Sequence, residues 1–287
     1  MPDGIAVVDK AAGWTSHDVV AKARGLLGTR KVGHAGTLDP DATGVLVLGV
    51  GRATRLLRYA TDLPKAYVGE VVLGVETSTL DAAGEVTATH DMAGVDLAQV
   101  RAAATGLTGA ILQVPPMVSA VRVGGRRLHE LARAGIEVER APRPVTVHRL
   151  DVDVTDEPGV FRLTVGCSSG TYVRSLAADL GSALGGGAHL RALRRTAIGP
   201  FTLERAVALD ALDPDCLLAP AEAVAHLASV TVGEEAAVAV GHGKVLAVDV
   251  LGVAGPGPWA VLGPDGDLLA VYAAHHPGTA KPDLVLA

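Results

Sequence analysis

Residues 31–46 read Lys31-Val32-Gly33-His34-Ala35-Gly36-Thr37-Leu38-Asp39-Pro40-Asp41-Ala42-Thr43-Gly44-Val45-Leu46, and they carry more information than any other part of the chain. Glycines, a proline, a histidine and two carboxylates interrupt any helical or strand period, and an apolar run, 45–50, follows at once. A shaped loop beside a buried strand is a frequent place for binding and catalytic side chains. Pro40 has no backbone N–H and disfavours helix at Asp39. We therefore predict that Asp39 lies on an extended turn at the centre of a functional loop.

The composition is that of a globular chain with a substantial core. It has 287 residues, of which 49% are apolar and 3% aromatic, and a mean hydropathy of +0.34. This length predicts one large domain, or one large and one small. Cys167 and Cys216 are the only cysteines, without a CxxC pair or a Cys/His cluster, so we expect neither a structural zinc nor a disulfide framework. The sequence suggests neither a signal peptide nor a membrane span, and we expect a cytoplasmic protein.

The charge is distributed unevenly. The net charge is −6, but residues 1–203 carry +2 and residues 204–287 carry −8. Phosphate binding depends on local positive patches more than on net charge. These patches indicate a nucleic-acid partner, although solvated helix faces with ion pairs would give the same pattern. The arginines concerned are Arg122, Arg126, Arg127, Arg133, Arg140, Arg143 and Arg149 in a first cluster, and Arg191, Arg194 and Arg195 in a second.

Helices and strands mix along the chain without a βαβ rhythm. This predicts an α+β fold with a mixed, largely antiparallel sheet and flanking helices. After about residue 228, short apolar runs are cut by turns, so we expect a catalytic domain over 1–228 and a small, mostly β C-terminal domain over 229–287. A basic insertion should occupy about 115–150. Strands are predicted at 4–8, 45–50, 67–73, 118–123, 146–154 and 160–165, helices at 17–27 (capped by Thr15 or Ser16), 52–59, 96–104, 127–134 and 172–184, and a polar loop at 76–84.

Five motifs resemble those of the TruB-type pseudouridine synthases, in the same order and over roughly residues 4–203. Besides the Asp39 loop, residues 7–16 match the family's opening motif, although Ala11 stands where the family has proline. The family's later motifs are matched by Lys65-Ala66-Tyr67, residues 167–176 and residues 187–196. The resemblance implies the pseudouridine synthase fold, with an RNA-binding-like (PUA-like) C-terminal domain. It also implies isomerisation of uridine 55 in the tRNA T-arm without a metal or redox cofactor, and we expect a monomer.

The resemblance also assigns roles to individual residues. Asp39 becomes the nucleophile, since a carboxylate is both a competent nucleophile and a good leaving group. Burial would oppose its ionisation, and Arg174 would restore it. A uridine inside the folded T-loop has to be flipped out, with Tyr67 stacking on it and assisting a proton transfer at C5. The remaining expected contacts are Tyr172 on the pocket wall, Leu193 at the uracil edge, His34 as a wedge in the vacated stack, Lys10 at the substrate, and Arg126, Arg127, Arg143, Arg194 and Arg195 on the RNA backbone.

Three other functions deserve comparison. Asp39-Pro40-Asp41-Ala42-Thr43 fits the Asp-x-Asp-x-Thr signature of haloacid-dehalogenase-type phosphotransferases, which use Mg²⁺. That motif follows a buried strand in a parallel sheet, and we expect neither here. The other two alternative functions are a tRNA-binding folding chaperone without catalysis and a guide-directed ribosomal RNA synthase. A P-loop is excluded, because residues 36–44 lack the Gly-Lys-Ser/Thr ending.

Overall fold

A computed structural model of the chain describes residues 2–119 and 121–286. The strands are β1 (Gly4–Lys10), β2 (Val32–Ala35), β3 (Thr43–Val50), β4 (Lys65–Leu73), β5 (Val75–Thr77), β6 (Val86–Thr89), β7 (Gly109–Gln113), β8 (Arg122–Val123), β9 (Arg126–Arg127), β10 (Arg143–Val154), β11 (Val160–Cys167), β12 (Ala188–Ile198), β13 (Phe201–Thr202), β14 (Val207–Ala208), β15 (Ala228–Thr231), β16 (Leu246–Ala247), β17 (Trp259–Leu262), β18 (Leu268–Ala274) and β19 (Thr279–Val285). The α-helices are α1 (Ser16–Leu26), α2 (Leu57–Thr61), α3 (Leu97–Gly106), α4 (Leu128–Arg133), α5 (Val173–Ala183), α6 (Glu234–Gly241) and α7 (Val248–Leu251), and a 3₁₀ helix, Gly51–Leu56, leads into α2.

The predicted α+β class is confirmed. Within the described residues, the main sheet has ten strands in the order β14-β1-β3-β12-β4-β11-β10-β7, with β2 added beside β3 and β13 beside β12. Its pairs are antiparallel except β1–β14 and β3–β12. Helices α3 and α5 pack on this sheet over a core that includes Val71, Leu163, Leu176 and Leu180. A second sheet, β15-β17-β18-β19-β16, is formed by residues 228–285.

Local sequence signals explain several of these elements. Thr15 accepts a hydrogen bond from the Asp18 N–H at 3.1 Å, while the Asp18 carboxylate accepts one from the Thr15 N–H at 2.9 Å. This reciprocal capping box starts α1 where the sequence predicted a cap. Asp96 and Gln99 form the same box at the start of α3. In β4, buried and half-buried residues alternate strictly, as expected for a strand with one face in the core.

Other elements differ from the sequence-based predictions. Val32–Ala35 forms β2, so the stretch before Asp39 is not free of strand structure. The predicted polar loop 76–84 is part of the β5–β6 hairpin, whose strands pair antiparallel. The predicted strand 118–123 is reduced to Arg122–Val123, and Ala120 lies outside the described residues. β12 was not predicted at all, because its polar and charged residues hide a strand that lies at the centre of the main sheet.

The second sheet packs directly against the main sheet. Ala260 and Leu284 share one hydrophobic core with Ile5 and Val47. Three arginines of residues 51–61 add polar contacts with the end of the chain: Arg52 donates to the Leu286 carbonyl at 2.8 Å, Arg55 to the Val285 carbonyl at 2.6 Å, and Arg58 to the Asp283 carboxylate at 2.6 Å. The predicted basic helix therefore contributes to the contact between the two sheets. Among the described residues, no helix is long and apolar enough to span a membrane.

Candidate active site

The Asp39 loop is fastened on both sides to the beginning of the chain. The Leu38 N–H donates to Ser16 Oγ at 2.9 Å, and that hydroxyl donates back to the Leu38 carbonyl at 3.2 Å. The Gly13 N–H donates to the Pro40 carbonyl at 3.0 Å. Because Leu38 is itself buried, the backbone on each side of Asp39 is fixed, and the carboxylate has a defined position. These contacts join residues 7–16 and 31–46 into one structural unit.

Lys10 makes a further tie, since the structure turns its side chain toward backbone carbonyls, and its contact with the substrate stays a prediction. Its side chain is 1% exposed, and Nζ donates to the carbonyls of Ala11 at 3.0 Å, Trp14 at 2.7 Å and Pro40 at 2.8 Å. An ammonium group has three N–H donors. All of them are therefore used by backbone carbonyls, and Lys10 holds the Asp39–Pro40 loop in place.

Arg174 connects Asp39 to its surroundings from the second position of α5. Its side chain is 6% exposed, and Nη2 lies 3.0 Å from Asp39 Oδ2. Nη2 also donates to the Val118 carbonyl at 2.9 Å, and Nη1 donates to the Thr79 carbonyl at 3.1 Å. Nη1 lies 3.5 Å from Asp81 Oδ2, so two carboxylates share one guanidinium. The planar fork of arginine suits this shared arrangement, which the compact charge of a lysine would not reproduce.

Opposing effects act on the Asp39 carboxylate. Burial raises the pKa of Asp39 most strongly, the Arg174 charge lowers it, and the nearby Asp81 charge raises it again. The net direction is upward, although Arg174 is in contact. Asp81 was missed by the sequence reasoning, because an aspartate in a predicted polar loop carries no signal that it reaches Arg174. Its side chain is held by Thr79, whose hydroxyl donates to Asp81 Oδ1 at 2.5 Å.

Asp39 and Arg174 border a recess of about 450 Å³, which we call the tyrosine recess because Tyr67 and Tyr172 line it. Leu193 also lines it, so residues from four sequence motifs meet here. Tyr67 projects from β4 and is buried, and burial raises the pKa of its phenol. That direction keeps the phenol protonated at neutral pH. Tyr172 stands at the cap position before α5 and is half-buried.

Lys65 and Arg195 add positive charge at the buried end of the tyrosine recess. Lys65 Nζ donates to the carbonyls of Thr61 at 2.6 Å and Leu63 at 2.8 Å. Burial, followed by the nearby Arg195 charge, lowers the pKa of Lys65 to about 8. Lys65 was quoted within a motif but was not predicted as a site residue.

Arg195 was predicted to contact the RNA backbone; the structure directs its guanidinium to backbone carbonyls of this chain, and the RNA contact stays a prediction. It is 1% exposed, and its guanidinium donates to the carbonyls of Val45 at 2.7 Å, Gly36 at 3.1 Å and Thr37 at 3.3 Å. It therefore holds the backbone just before Asp39 in place from the interior of the protein. Gly44 allows this approach: its φ is +101°, and a Cβ there would lie 2.1 Å from the Arg195 carbonyl oxygen.

The other predicted residues lie farther from the carboxylate. His34 is half-buried on β2, packs edge-on against the His17 ring at 5.4 Å, and is absent from the lining of the recess. Burial lowers the pKa of His34, so the neutral ring is favoured. Arg194 pairs with Asp9 at 2.7 Å and is half-buried. Arg126 and Arg143 are exposed on the basic insertion, whereas the side chain of the predicted Arg127 lies outside what the structure describes.

A second, smaller recess of about 190 Å³ adjoins the tyrosine recess. Both recesses are lined by Asp39, Val118, Arg174 and Leu193, and the smaller recess is also lined by Arg191. The Asp39–Arg174 pair therefore stands between two recesses. Within residues 2–119 and 121–286, no group of three or more His, Cys, Asp or Glu side chains is arranged to hold a metal ion.

Comparison with known proteins agrees with this geometry. Residues 24–173 match a family model described as the N-terminal domain of TruB family pseudouridylate synthase, and residues 174–238 match the C-terminal domain of tRNA pseudouridylate synthase B. The boundary between the two falls inside α5, whereas β12 of the second part lies at the centre of the main sheet. The two matched regions therefore pack as one body around Asp39 and Arg174.

Curated relatives match along the whole chain or along most of it. A protein of Arthrobacter sp. (strain FB24) named tRNA pseudouridine synthase B is 47% identical over 100% of this chain and 97% of its own length. One of the same name from Thermobifida fusca (strain YX) is 49% identical over 100% and 99%. A third, from Rhodococcus jostii (strain RHA1), is 58% identical over 73% and 70%.

Solved structures share the fold. One described as an H/ACA RNP bound to a substrate RNA containing 2′-deoxyuridine has a TM-score of 0.75 and 26% identity, covering 99% of this chain and 85% of that one. A Cbf5-Nop10-Gar1 complex gives a TM-score of 0.77 and 28% identity with the same coverage. The motifs, the geometry and the near full-length relatives agree, and the chain belongs to the TruB family of pseudouridylate synthases and is an isomerase of that kind.

Proposed function

We propose that the chain isomerises uridine 55 in the T-arm of tRNA to pseudouridine, with Asp39 as the nucleophile. The observation that carries this proposal is the ion pair of 3.0 Å between Asp39 and Arg174 beside the tyrosine recess. The relatives with 47% and 49% identity along this chain are named tRNA pseudouridine synthase B, which supports tRNA as the substrate.

In the proposed reaction Asp39 attacks the flipped uridine, at C1′ or at C6. The N1–C1′ bond breaks, the freed uracil turns within the recess, and C5 bonds to C1′. The bond that Asp39 formed with C1′ or C6 then breaks with its electron pair, which regenerates the carboxylate. The hydrogen on C5 leaves as a proton and N1 gains one, so the product is an isomer with no net change in atoms or electrons. Arg174 favours the ionised carboxylate that this attack requires, while burial opposes it. Neither a metal nor a redox cofactor takes part in these steps.

The two tyrosines would hold the base after it leaves the T-loop stack. A flipped base is commonly held on aromatic faces and read by hydrogen bonds at its edge. Tyr67 supplies a buried ring, Tyr172 a second wall, and the β12 backbone at Leu193 meets the uracil edge. Because burial raises the pKa of Tyr67, we assign it stacking and hydrogen bonding first, and any proton transfer at C5 second.

Exposed arginines of the basic insertion would bind the phosphates around the flipped nucleotide. Arg126 and Arg143 are exposed there, and Arg194 is half-buried next to Asp9. A neutral His34 suits insertion into the vacated stack, since an uncharged ring is cheaper to place between bases than a charged one. We also propose a division near residue 228, supported by the separate sheet of residues 228–285, with an acidic RNA-binding-like second part.

A guide-directed synthase is the second candidate, because H/ACA and Cbf5 structures share the fold. Those chains are 26% and 28% identical, whereas the tRNA synthases are 47% and 49% identical over this whole chain. The stand-alone tRNA reaction is therefore preferred. The phosphotransferase alternative loses one earlier objection, since β2 does precede Asp39, but β2 pairs antiparallel with β3, unlike the parallel strands of that fold.

The substrate can be tested with tRNA transcripts labelled with [5-³H]uridine, because forming the C5–C1′ bond releases the label. One transcript carries uridine at position 55 and a matched one carries cytidine there. We expect release from the first alone, unchanged by EDTA. Equal release from both would move the target to another uridine, and loss of release in EDTA would favour metal chemistry.

A further inference from the structure

Gln113 lies at the root of the basic insertion. It is the last residue of β7, and its Cα partner in the neighbouring strand is Arg143, the first residue of β10. The chain leaves the main sheet after Gln113 and returns at Arg143. Although β7 is an edge strand and its neighbours Leu112 and Val114 are exposed, Gln113 is 2% exposed. A buried amide at this position needs partners for its donor and its acceptor.

Both partners belong to the backbone of Tyr172. Gln113 Nε2 donates to the Tyr172 carbonyl at 3.0 Å, and the Tyr172 N–H donates to Gln113 Oε1 at 2.7 Å. The amide thus acts as one more rung of a β-ladder, made by a side chain. Tyr172 needs such a support, because it is the extended residue that caps α5 and has no side-chain capping bond of its own.

We propose that Gln113 is a positioning residue that holds the Tyr172 ring on the wall of the tyrosine recess and ties it to the root of the basic insertion. This rests on the proposed function, in which that recess receives the flipped uridine. Two hydrogen bonds to the backbone of one residue restrain both its backbone dihedrals, and these set the Cα–Cβ direction from which the phenol projects into the recess. A clamp at the root of the insertion makes the geometry of the recess depend on the position of the insertion.

Other hydrogen bonds also join the root of the basic insertion to α5. The Ser175 hydroxyl donates to the Val114 carbonyl at 3.1 Å, and Arg174 Nη2 donates to the Val118 carbonyl at 2.9 Å. The segment from Gln113 to Val118 is thus fastened to the first turn of α5 at several points. Of these contacts from the segment, those of Gln113 alone reach Tyr172, whose carbonyl also accepts from the Leu176 N–H at 3.1 Å within α5. Ser175 therefore offers a matched control: removing its hydroxyl loosens the same segment and leaves the Tyr172 bonds intact.

A double-mutant cycle separates positioning from general stabilisation. Gln113→Met keeps the volume and loses both hydrogen bonds, whereas Tyr172→Ala removes the phenol and keeps its backbone. Measured by single-turnover tritium release, we expect Gln113→Met to lower the rate roughly tenfold in the native background and less than about twofold in the Tyr172→Ala background. Ser175→Ala should stay within about twofold of the native rate. Equal losses in both backgrounds, or an equal loss in Ser175→Ala, would overturn the proposal.

Gln113→Glu gives an independent test that can be used even if Gln113→Met folds poorly. A protonated carboxyl can accept from the Tyr172 N–H and donate to its carbonyl, as the amide does, but a carboxylate has no donor. The ratio of variant rate to native rate should therefore rise as the pH is lowered, and a ratio independent of pH would contradict the clamp. Full activity in Tyr172→Ala would overturn this proposal alone, since the proposed reaction is tested separately by measuring tritium release from an Asp39→Asn variant.

Discussion

Lys10→Met tests whether this buried lysine serves the fold or the substrate. The change keeps a long apolar side chain and removes the ammonium group that bonds to Ala11, Trp14 and Pro40. The Pro40 carbonyl keeps the Gly13 N–H, so two carbonyls lose a donor. Both belong to exposed residues, where water can replace part of the loss.

The expected cost follows from these bonds. A carbonyl left without a donor costs about 1–3 kcal/mol, and the lower end applies where water has access. Burial of the ammonium group costs free energy in the native protein and lowers the pKa of Lys10. The methionine variant does not have this cost, which offsets part of the loss in stability. We expect a loss of about 2 kcal/mol in the free energy of unfolding and a fall in Tm of roughly 4–8 °C. Because the Asp39 loop loosens, the single-turnover rate should fall about 10- to 100-fold.

The assays are thermal unfolding, single-turnover tritium release at saturating tRNA, and filter binding of tRNA. The exposed Lys22, which lies 3.7 Å from Asp210, provides the matched control, and Lys22→Met should change stability by less than ~0.5 kcal/mol. RNA affinity should change by no more than about twofold in either variant. A Lys10→Met protein with native Tm and a tenfold weaker Kd would show that Lys10 binds RNA and would refute this reasoning.

Three more predictions concern charge. Asp81→Asn should lower the maximal rate, because Arg174 loses a charged partner. It should also move the acidic limb of the kcat/KM profile to lower pH, because the Asp81 charge raises the pKa of Asp39. An acidic limb that moves to higher pH would contradict this assignment. Lys65 has a folded-state pKa of about 8, against 10.5 ordinarily, so the unfolded chain binds more protons between these values and the free energy of unfolding should rise with pH there, by at most about 3 kcal/mol. Urea unfolding of Lys65→Met should lack this rise, and an identical pH dependence in both proteins would disprove it. Arg126→Ala and Arg143→Ala should each reduce the slope of log affinity against log salt by roughly 0.7–0.9, and an unchanged slope would remove that arginine from the phosphate contacts.

Sequence reasoning located the candidate site better than it described its support. Asp39, Tyr67, Arg174 and Leu193 belong to separate motifs, and each motif predicted one wall of the same recess. The fold class was predictable because β4 alternates clearly and α1 carries a visible cap.

The surroundings of long basic side chains were the hardest feature to predict from the sequence. A lysine or arginine in a motif looks the same whether its charge faces a ligand or buried carbonyls, and Lys10 and Arg195 do the latter. The strand β12 was hidden because arginines interrupt its apolar pattern and two irregularities shift its register against β4. Asp81 and Gln113 were missed for a different reason. Their partners, Arg174 and Tyr172, are far along the chain and are brought near only by the sheet.

The nucleophilic role of Asp39 is the central claim, and tritium release from [5-³H]uridine-labelled tRNA tests it most directly. Asp39→Asn keeps the size of the side chain and removes its negative charge. The native protein should release the label, while Asp39→Asn should release none yet bind tRNA with an affinity within about threefold of native, because phosphate contacts dominate binding. Release by Asp39→Asn at a rate near that of the native protein would contradict the mechanism.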